Sequence, residues 1–175
     1  RMVAVINTMH RSHEKLTADV RLYDFNMNIV WQQQQSLSIG EDCYKELFTL
    51  PQPKEITPVY YARLLLKDGN GKVISENFYW LSADGKNDFR AITQMPKVDL
   101  QLTSTTTTKD NDIVMRITVK NSTNRLAFMH RLMITKGDSE DEVLPTFWTD
   151  NFLTIFPGEE REVMATFARQ DLEGA

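Results

Sequence analysis

The stretch Trp148-Thr149-Asp150-Asn151-Phe152 combines residue types that could grip a polar, ring-shaped ligand. An indole can stack on the apolar face of a sugar ring, while Asp150 and Asn151 supply acceptors and donors for its hydroxyls. The plainer reading uses the same residues for backbone reasons. It places Asn151 in a left-handed turn, lets Asp150 tie nearby backbone N–H groups, and packs Trp148 against a core or a neighbouring domain. That reading is preferred, because such turns abound wherever strands connect. Phe78-Tyr79-Trp80 raises the same choice between an aromatic platform and packing. In a strand, Phe78 and Trp80 share one face and Tyr79 takes the other, so one face is expected to fill a core and the other to dock a further domain. The candidate contact residues, for sugar or for another domain, are therefore Trp148, Asp150, Asn151, Tyr79 and Trp80.

Other clusters carry less. His10, His13 and Glu14 read as a loop between two strands and lack a fourth ligand at zinc spacing, so no metal or cofactor site is assigned. Cys43 is the single cysteine, which excludes an intramolecular disulfide; with no nearby His and no Gly-framed nucleophile context it is expected to fill a small space in a core. Asn121-Ser122-Thr123 matches the N-glycosylation pattern but falls at a turn, where Asn and Ser are also chosen by the backbone. No residue is assigned a catalytic role.

The elements that must position these residues are strands. Leu16, Ala18, Val20 and Leu22 alternate with Thr17, Asp19 and Arg21, as do Ile113, Met115, Ile117 and Val119 with their polar neighbours. Val163, Ala165 and Phe167 repeat the pattern, and Tyr60–Leu66 is apolar almost throughout, as a central strand should be. Asp68-Gly69-Asn70-Gly71 predicts a hairpin, because Asp-Gly and Asn-Gly accept the positive φ of tight turns. Turns are also expected at 24–28, between strands at 16–23 and 29–31, and at 121–124, between strands at 113–120 and 126–134. A further turn is expected at 157–160, and a new strand is expected over Val98–Leu102, with the run Thr105–Thr108 leading into or edging a strand. The fold class is all-β.

Two tandem immunoglobulin-like β-sandwich domains, residues 1–94 and 95–175, explain this layout. Each half yields about six or seven short strands, and the stretch Ser82–Asp88 between them is polar and turn-prone. Residues 1–95 hold 11 basic and 11 acidic side chains and the remainder 9 and 13, so the whole net charge of −4 lies in the second half. That balance argues against a nucleic-acid partner, which would need a basic patch. No apolar run approaches the ~20 residues of a membrane-spanning helix. The chain passes from Arg1-Met2 straight into the apolar Val3–Ile6 with no signal-peptide pattern, and a segment of a longer protein is expected.

Two motifs carry a family resemblance. Asn77-Phe78-Tyr79-Trp80-Leu81-Ser82 follows the 64–75 hairpin, and Val143-Leu144-Pro145-Thr146-Phe147-Trp148-Thr149-Asp150-Asn151-Phe152 leads to Phe156-Pro157-Gly158-Glu159. They resemble the C-terminal Ig-like domains of glycoside hydrolase family 2 enzymes of the β-mannosidase and exo-β-glucosaminidase branch. Phe152 stands where that family usually has Tyr, and Ala127–Leu132 resembles its central strand. The resemblance implies a non-catalytic accessory region of a β-glycosidase acting on terminal β-linked sugars. Its partners would be the enzyme's catalytic barrel and other domains, with an oligosaccharide or a homodimer contact also open, and the parent enzyme would be periplasmic or secreted. Retaining glycosidases need two carboxyl groups ~5–5.5 Å apart on a barrel of ~250 residues, longer than this chain, so both are expected outside it. A stand-alone carbohydrate-binding module or an adhesion domain is the alternative; the module would show exposed, coplanar aromatics drawn from Tyr60, Tyr79, Trp31 or Trp148.

Overall fold

The structure, a computed structural model, describes residues 1–53, 55–85 and 87–172. It is all-β, as the alternation requires, and divides into two compact units, Arg1–Met95 and Pro96–Ala175. The expected linker Ser82–Asp88 includes Lys86, which lies outside the described residues.

The first unit holds β1 (Met2–Asn7), β2 (His13–Tyr23), β3 (Ile29–Ile39), β4 (Cys43–Thr49), β5 (Val59–Lys67) and β6 (Val73–Ser82), followed by a 3₁₀ turn at Arg90–Gln94. β3, β2, β5 and β6 form an antiparallel sheet in that order, and β1 pairs with β4 as a two-stranded ribbon. The alternation decides which face is inside. Leu16, Ala18, Val20 and Leu22 of β2 are all nearly inaccessible, and the core groups Leu16 and Ala18 with Leu37 and Ile39, under Val5 and Leu47 of the ribbon. Farther along the same face Leu22, Tyr60 and Ala62 gather Trp31, Leu50, Ile56 and Leu81. Burying one such side chain is worth about 1.5–3 kcal/mol, so this face dominates the unit's stability.

The second unit holds β7 (Gln101–Lys109), β8 (Asp112–Lys120), β9 (Ala127–His130), β10 (Phe147–Trp148), β11 (Leu153–Ile155) and β12 (Glu160–Ala168), then a 3₁₀ turn at Arg169–Leu172. β10, β12, β8 and β7 make one antiparallel sheet, and β11 pairs with β9. Between them lie Ile117, Val119, Ala127, Leu153, Ile155, Val163 and Ala165, with Trp148 packed against their edge.

Four expectations shift. β2 begins at His13, not Leu16, because a bulge at Lys15 (φ 53°) interrupts the alternation without ending the pairing to β3. The strand expected over 126–134 is only Ala127–His130, and within it the positive φ of Met129 (55°) goes with a register shift against β11. The strand expected at Val98–Leu102 lies over Gln101–Lys109, so the threonine run is itself the strand, at the sheet edge. Cys43 is exposed rather than core-filling, because it opens β4 at the end of the β1–β4 ribbon, opposite Asn7.

Candidate functional site

The Trp148–Phe152 corner of the second unit is assembled by hydrogen bonds that its own side chains provide. Thr149 locks β10 to β12: its N–H donates to the Met164 carbonyl and its Oγ1 accepts from the Met164 N–H, each at 2.9 Å. Asn151 then imitates a strand. Its Nδ2 donates to the Leu132 carbonyl (3.0 Å) and its Oδ1 accepts from the Leu132 N–H (2.8 Å), continuing the β9–β11 ladder where the backbone cannot. The same Oδ1 accepts from Phe152 N–H, and Asp150 Oδ1 accepts from Asn151 N–H, both at 2.8 Å. Asn151 therefore spends its amide on the protein, and Asp150 presents an exposed carboxylate beside it.

The left-handed residue of this corner is Phe152 (φ 54°), which corrects the expectation that Asn151 would take that conformation. Asn151 keeps its amide on both backbone groups of Leu132, and the reversal falls on the next residue. Phe152 carries its ring 54% exposed in a conformation bulky residues rarely adopt. Trp148 is half-buried against the core of the unit.

In the first unit, β6 presents Phe78 and Trp80 on one face and Tyr79 on the other. Phe25, Tyr61, Phe78 and Trp80 form a continuous aromatic row: Phe25 and Tyr61 stack at 6.4 Å between centroids, Tyr61 and Phe78 at 5.7 Å, and Phe78 meets Trp80 at 6.3 Å. Tyr61 is fully buried, its hydroxyl lies 3.6 Å from the Met95 sulfur, and burial pushes its pKa up to about 12. Trp80 ends the row 39% exposed; Tyr79, 48% exposed, lines an apolar groove on the opposite face. Tyr60 is buried with its hydroxyl accepting from the Arg1 guanidinium at 3.0 Å, and Trp31 packs edge-on against Phe48. Of the four aromatics that a stand-alone sugar-binding module would expose, Tyr60 is buried, Trp31 and Trp148 are half-buried, and Tyr79 is exposed.

The remaining polar clusters are structural. Asp19 is 1% exposed and receives Lys67 Nζ at 2.7 Å and Arg21 at 3.0 Å. Burial pushes its carboxyl up, but the hydrogen bonds from Lys67 and Arg21 outweigh that and hold it below its ordinary value. His10, His13 and Glu14 make no metal cluster, and no group of three potential ligands gathers among the described residues. No helix among them is long and apolar enough to cross a membrane.

Of the two readings of Asn121, a glycosylation pattern and a turn residue chosen by the backbone, the hydrogen bonds fit the second. Asn121 is fully buried; its Nδ2 donates to the Arg125 and Ile155 carbonyls (2.7 and 3.0 Å), and its Oδ1 accepts from the Thr123 N–H and hydroxyl. A glycan on that nitrogen has no room in the folded unit. Asn7 does the same in the first unit, donating to the Arg11 and Gly40 carbonyls (2.7 and 2.6 Å) and accepting from Met9 N–H. The spacing Asn-x-x-x-Arg, in which the Arg carbonyl accepts from the Asn Nδ2, is the signal that could have paired the two sites.

Comparison with known proteins gives these geometries a context. Residues 77–175 match the exo-β-D-glucosaminidase Ig-fold domain family, and residues 2–83 match the mannosidase Ig/CBM-like domain family. An exo-β-D-glucosaminidase of Streptomyces avermitilis is 28% identical over 200 aligned positions, covering 100% of this chain and 22% of its own length. One from Arthroderma benhamiae is 33% identical over 130 positions, covering 62% of this chain and 14% of its own. The crystal structure of the Amycolatopsis orientalis exo-chitosanase CsxA superposes with a TM-score of 0.84 at 25% identity, over 100% of this chain and 23% of that one. The chain therefore spans less than a quarter of each of these relatives.

Proposed function

The chain belongs to the exo-β-D-glucosaminidase Ig-fold domain family, and from that premise we propose that it is the accessory, non-catalytic part of an exo-β-D-glucosaminidase. Two consecutive domains, divided near residues 94–95, support a catalytic barrel carried elsewhere on the polypeptide. That barrel would remove terminal glucosamine from chitosan-type oligosaccharides, the activity that the relatives' names describe. Glucosaminidase is favoured over mannosidase because each of these relatives carries a glucosaminidase or chitosanase name, one of them aligned over the whole chain.

The observation that carries this reading is coverage. The full chain aligns with 22% of the Streptomyces avermitilis enzyme, and an (α/β)-type barrel needs ~250 residues of its own. The site geometry agrees: Asn151, Asn121 and Asp19 are engaged in holding backbone and strands together. Trp80, Tyr79 and Phe152 bring exposed aromatic surface that suits contact with neighbouring protein. Trp148 and Asp150 shape the corner that presents Phe152.

The test is truncation of the parent enzyme immediately before Arg1. The expected result is a polypeptide that loses glucosaminidase activity, or loses it at temperatures the full enzyme withstands. Full activity and undiminished thermal stability in the truncated enzyme would reject a supporting role.

A further inference from the structure

Asn7 and Asn121 occupy equivalent points in the two units. Each accepts an N–H from two residues on and donates to the carbonyl four residues on, and each also donates to a carbonyl 33 or 34 residues away. Asn7 is the last residue of β1 and Asn121 follows the last residue of β8, and in each unit that strand pairs with the one that opens after the distant carbonyl: β1 with β4, and β8 with β12. The correspondence sets β1 against β8, β4 against β12, and the β2–β3 pair against β9–β11.

One strand breaks the correspondence. β8 is hydrogen-bonded on both edges, to β12 and to β7, and β7 reaches it through the tight turn at Asp110-Asn111. Among the described residues β1 is hydrogen-bonded to β4 alone. On its other edge lies the groove lined by consecutive residues Arg1–Ile6 and by the inner face of β5 and β6, with a volume of about 610 Å³; a second lobe of about 430 Å³ continues it past Ile6 to Ile74. The inner face is uneven as a result. Beneath the ribbon, Leu16, Ala18, Val20 and Leu22 of β2 are 0–4% exposed, whereas Tyr79 of β6 remains 48% exposed, and Met2 and Ile6 of β1 are 51% and 68% exposed. An apolar sheet face beside an unpaired strand edge is a template for one more strand.

We propose that the polypeptide encoded immediately ahead of Arg1 forms that strand. It pairs antiparallel with β1 as β7 does with β8, and its inward side chains cover Leu64, Leu66, Tyr79 and Leu81. A strand of β7's length and a tight turn, with β1 lengthened to match β8, require about 15 residues. The occupant is an extended segment with alternating apolar side chains, because the groove wall beneath it is apolar while its outer face meets solvent. This inference shares with the proposed function only the premise that the chain is part of a longer polypeptide, and its readout is independent of any activity.

The experiment compares residues 1–175 with the same chain extended by the fifteen or so residues its gene encodes ahead of Arg1. Amide hydrogen exchange of residues 2–7 should slow at least tenfold in the extended chain, which should remain monomeric by sedimentation and melt several degrees higher. Tyr79→Ala should leave the shorter chain's melting temperature unchanged and shrink the gain from the extension. Unchanged exchange at residues 2–7 would overturn the proposal, as would a gene encoding nothing ahead of Arg1. Sedimentation of the 175-residue chain as a dimer with residues 2–7 already protected would also overturn it, because the occupant would then be a second copy.

Discussion

At Asn7 and Asn121 one side-chain amide satisfies two backbone carbonyls that the strand ladders leave unpaired, and it does so inside each unit. Replacing either by alanine orphans those carbonyls, and an unsatisfied buried group costs about 1–3 kcal/mol. Asn121→Ala should therefore lower the unfolding free energy of the second unit by about 2–3 kcal/mol, read as a drop in urea midpoint for probes in residues 96–172. Asn7→Ala should do the same to the first unit. Tyr61 gives a test with pH. Its folded pKa of about 12 lies above the ~10 of an unfolded tyrosine, so above pH 10 the unfolded state gives up its proton first. The resulting loss of stability grows from pH 10 and levels off near 12; Tyr61→Phe should remove that part of the alkaline limb in pH-dependent urea titrations. These residues were hard to read beforehand for a physical reason. A buried Asn and a surface turn Asn have the same sequence neighbours, and only the distant carbonyls of Gly40 and Ile155 distinguish them.

Among the elements, the hairpins were legible and the interruptions were not. Asp68–Lys72 turns β5 into β6, and Asp24 caps the turn between β2 and β3, as Gly and Asx chemistry requires. Lys15, Met129 and Phe152 take positive φ without being glycine or asparagine, so the bulge in β2 and the register shift between β9 and β11 had no local signal. Such positions store strain. Phe152→Gly should stabilise the isolated chain by about 1 kcal/mol in urea unfolding. If its exposed ring is kept for contact with the rest of the enzyme, the same substitution should lower the parent's thermal stability. Asp19 binds β2 to β5 through Lys67, and its depressed pKa makes that link present above the unfolded value near 3.8 and lost as pH falls through the folded one. Asp19→Asn should cost about 2 kcal/mol at neutral pH, since it leaves two cations without their partner, and should flatten the acid limb of the stability profile.

For the whole molecule, the all-β class and the family were within reach of the sequence because alternation and the short aromatic motifs at 77–82 and 143–152 are local features. The candidate contacts were only partly so: the aromatic residues were found, but their division into a buried row, a groove wall and an exposed corner depends on which faces the sheets present to each other. The central claim is that chemistry resides elsewhere on the parent polypeptide. The measurement that tests it most directly is glucosamine release from chitosan oligosaccharides by the purified, cooperatively folded 175-residue chain, at concentrations where the parent enzyme turns over readily. The account predicts no release above the buffer blank. Hydrolysis that co-purifies with the chain and disappears on changing one of its own carboxylates would contradict it.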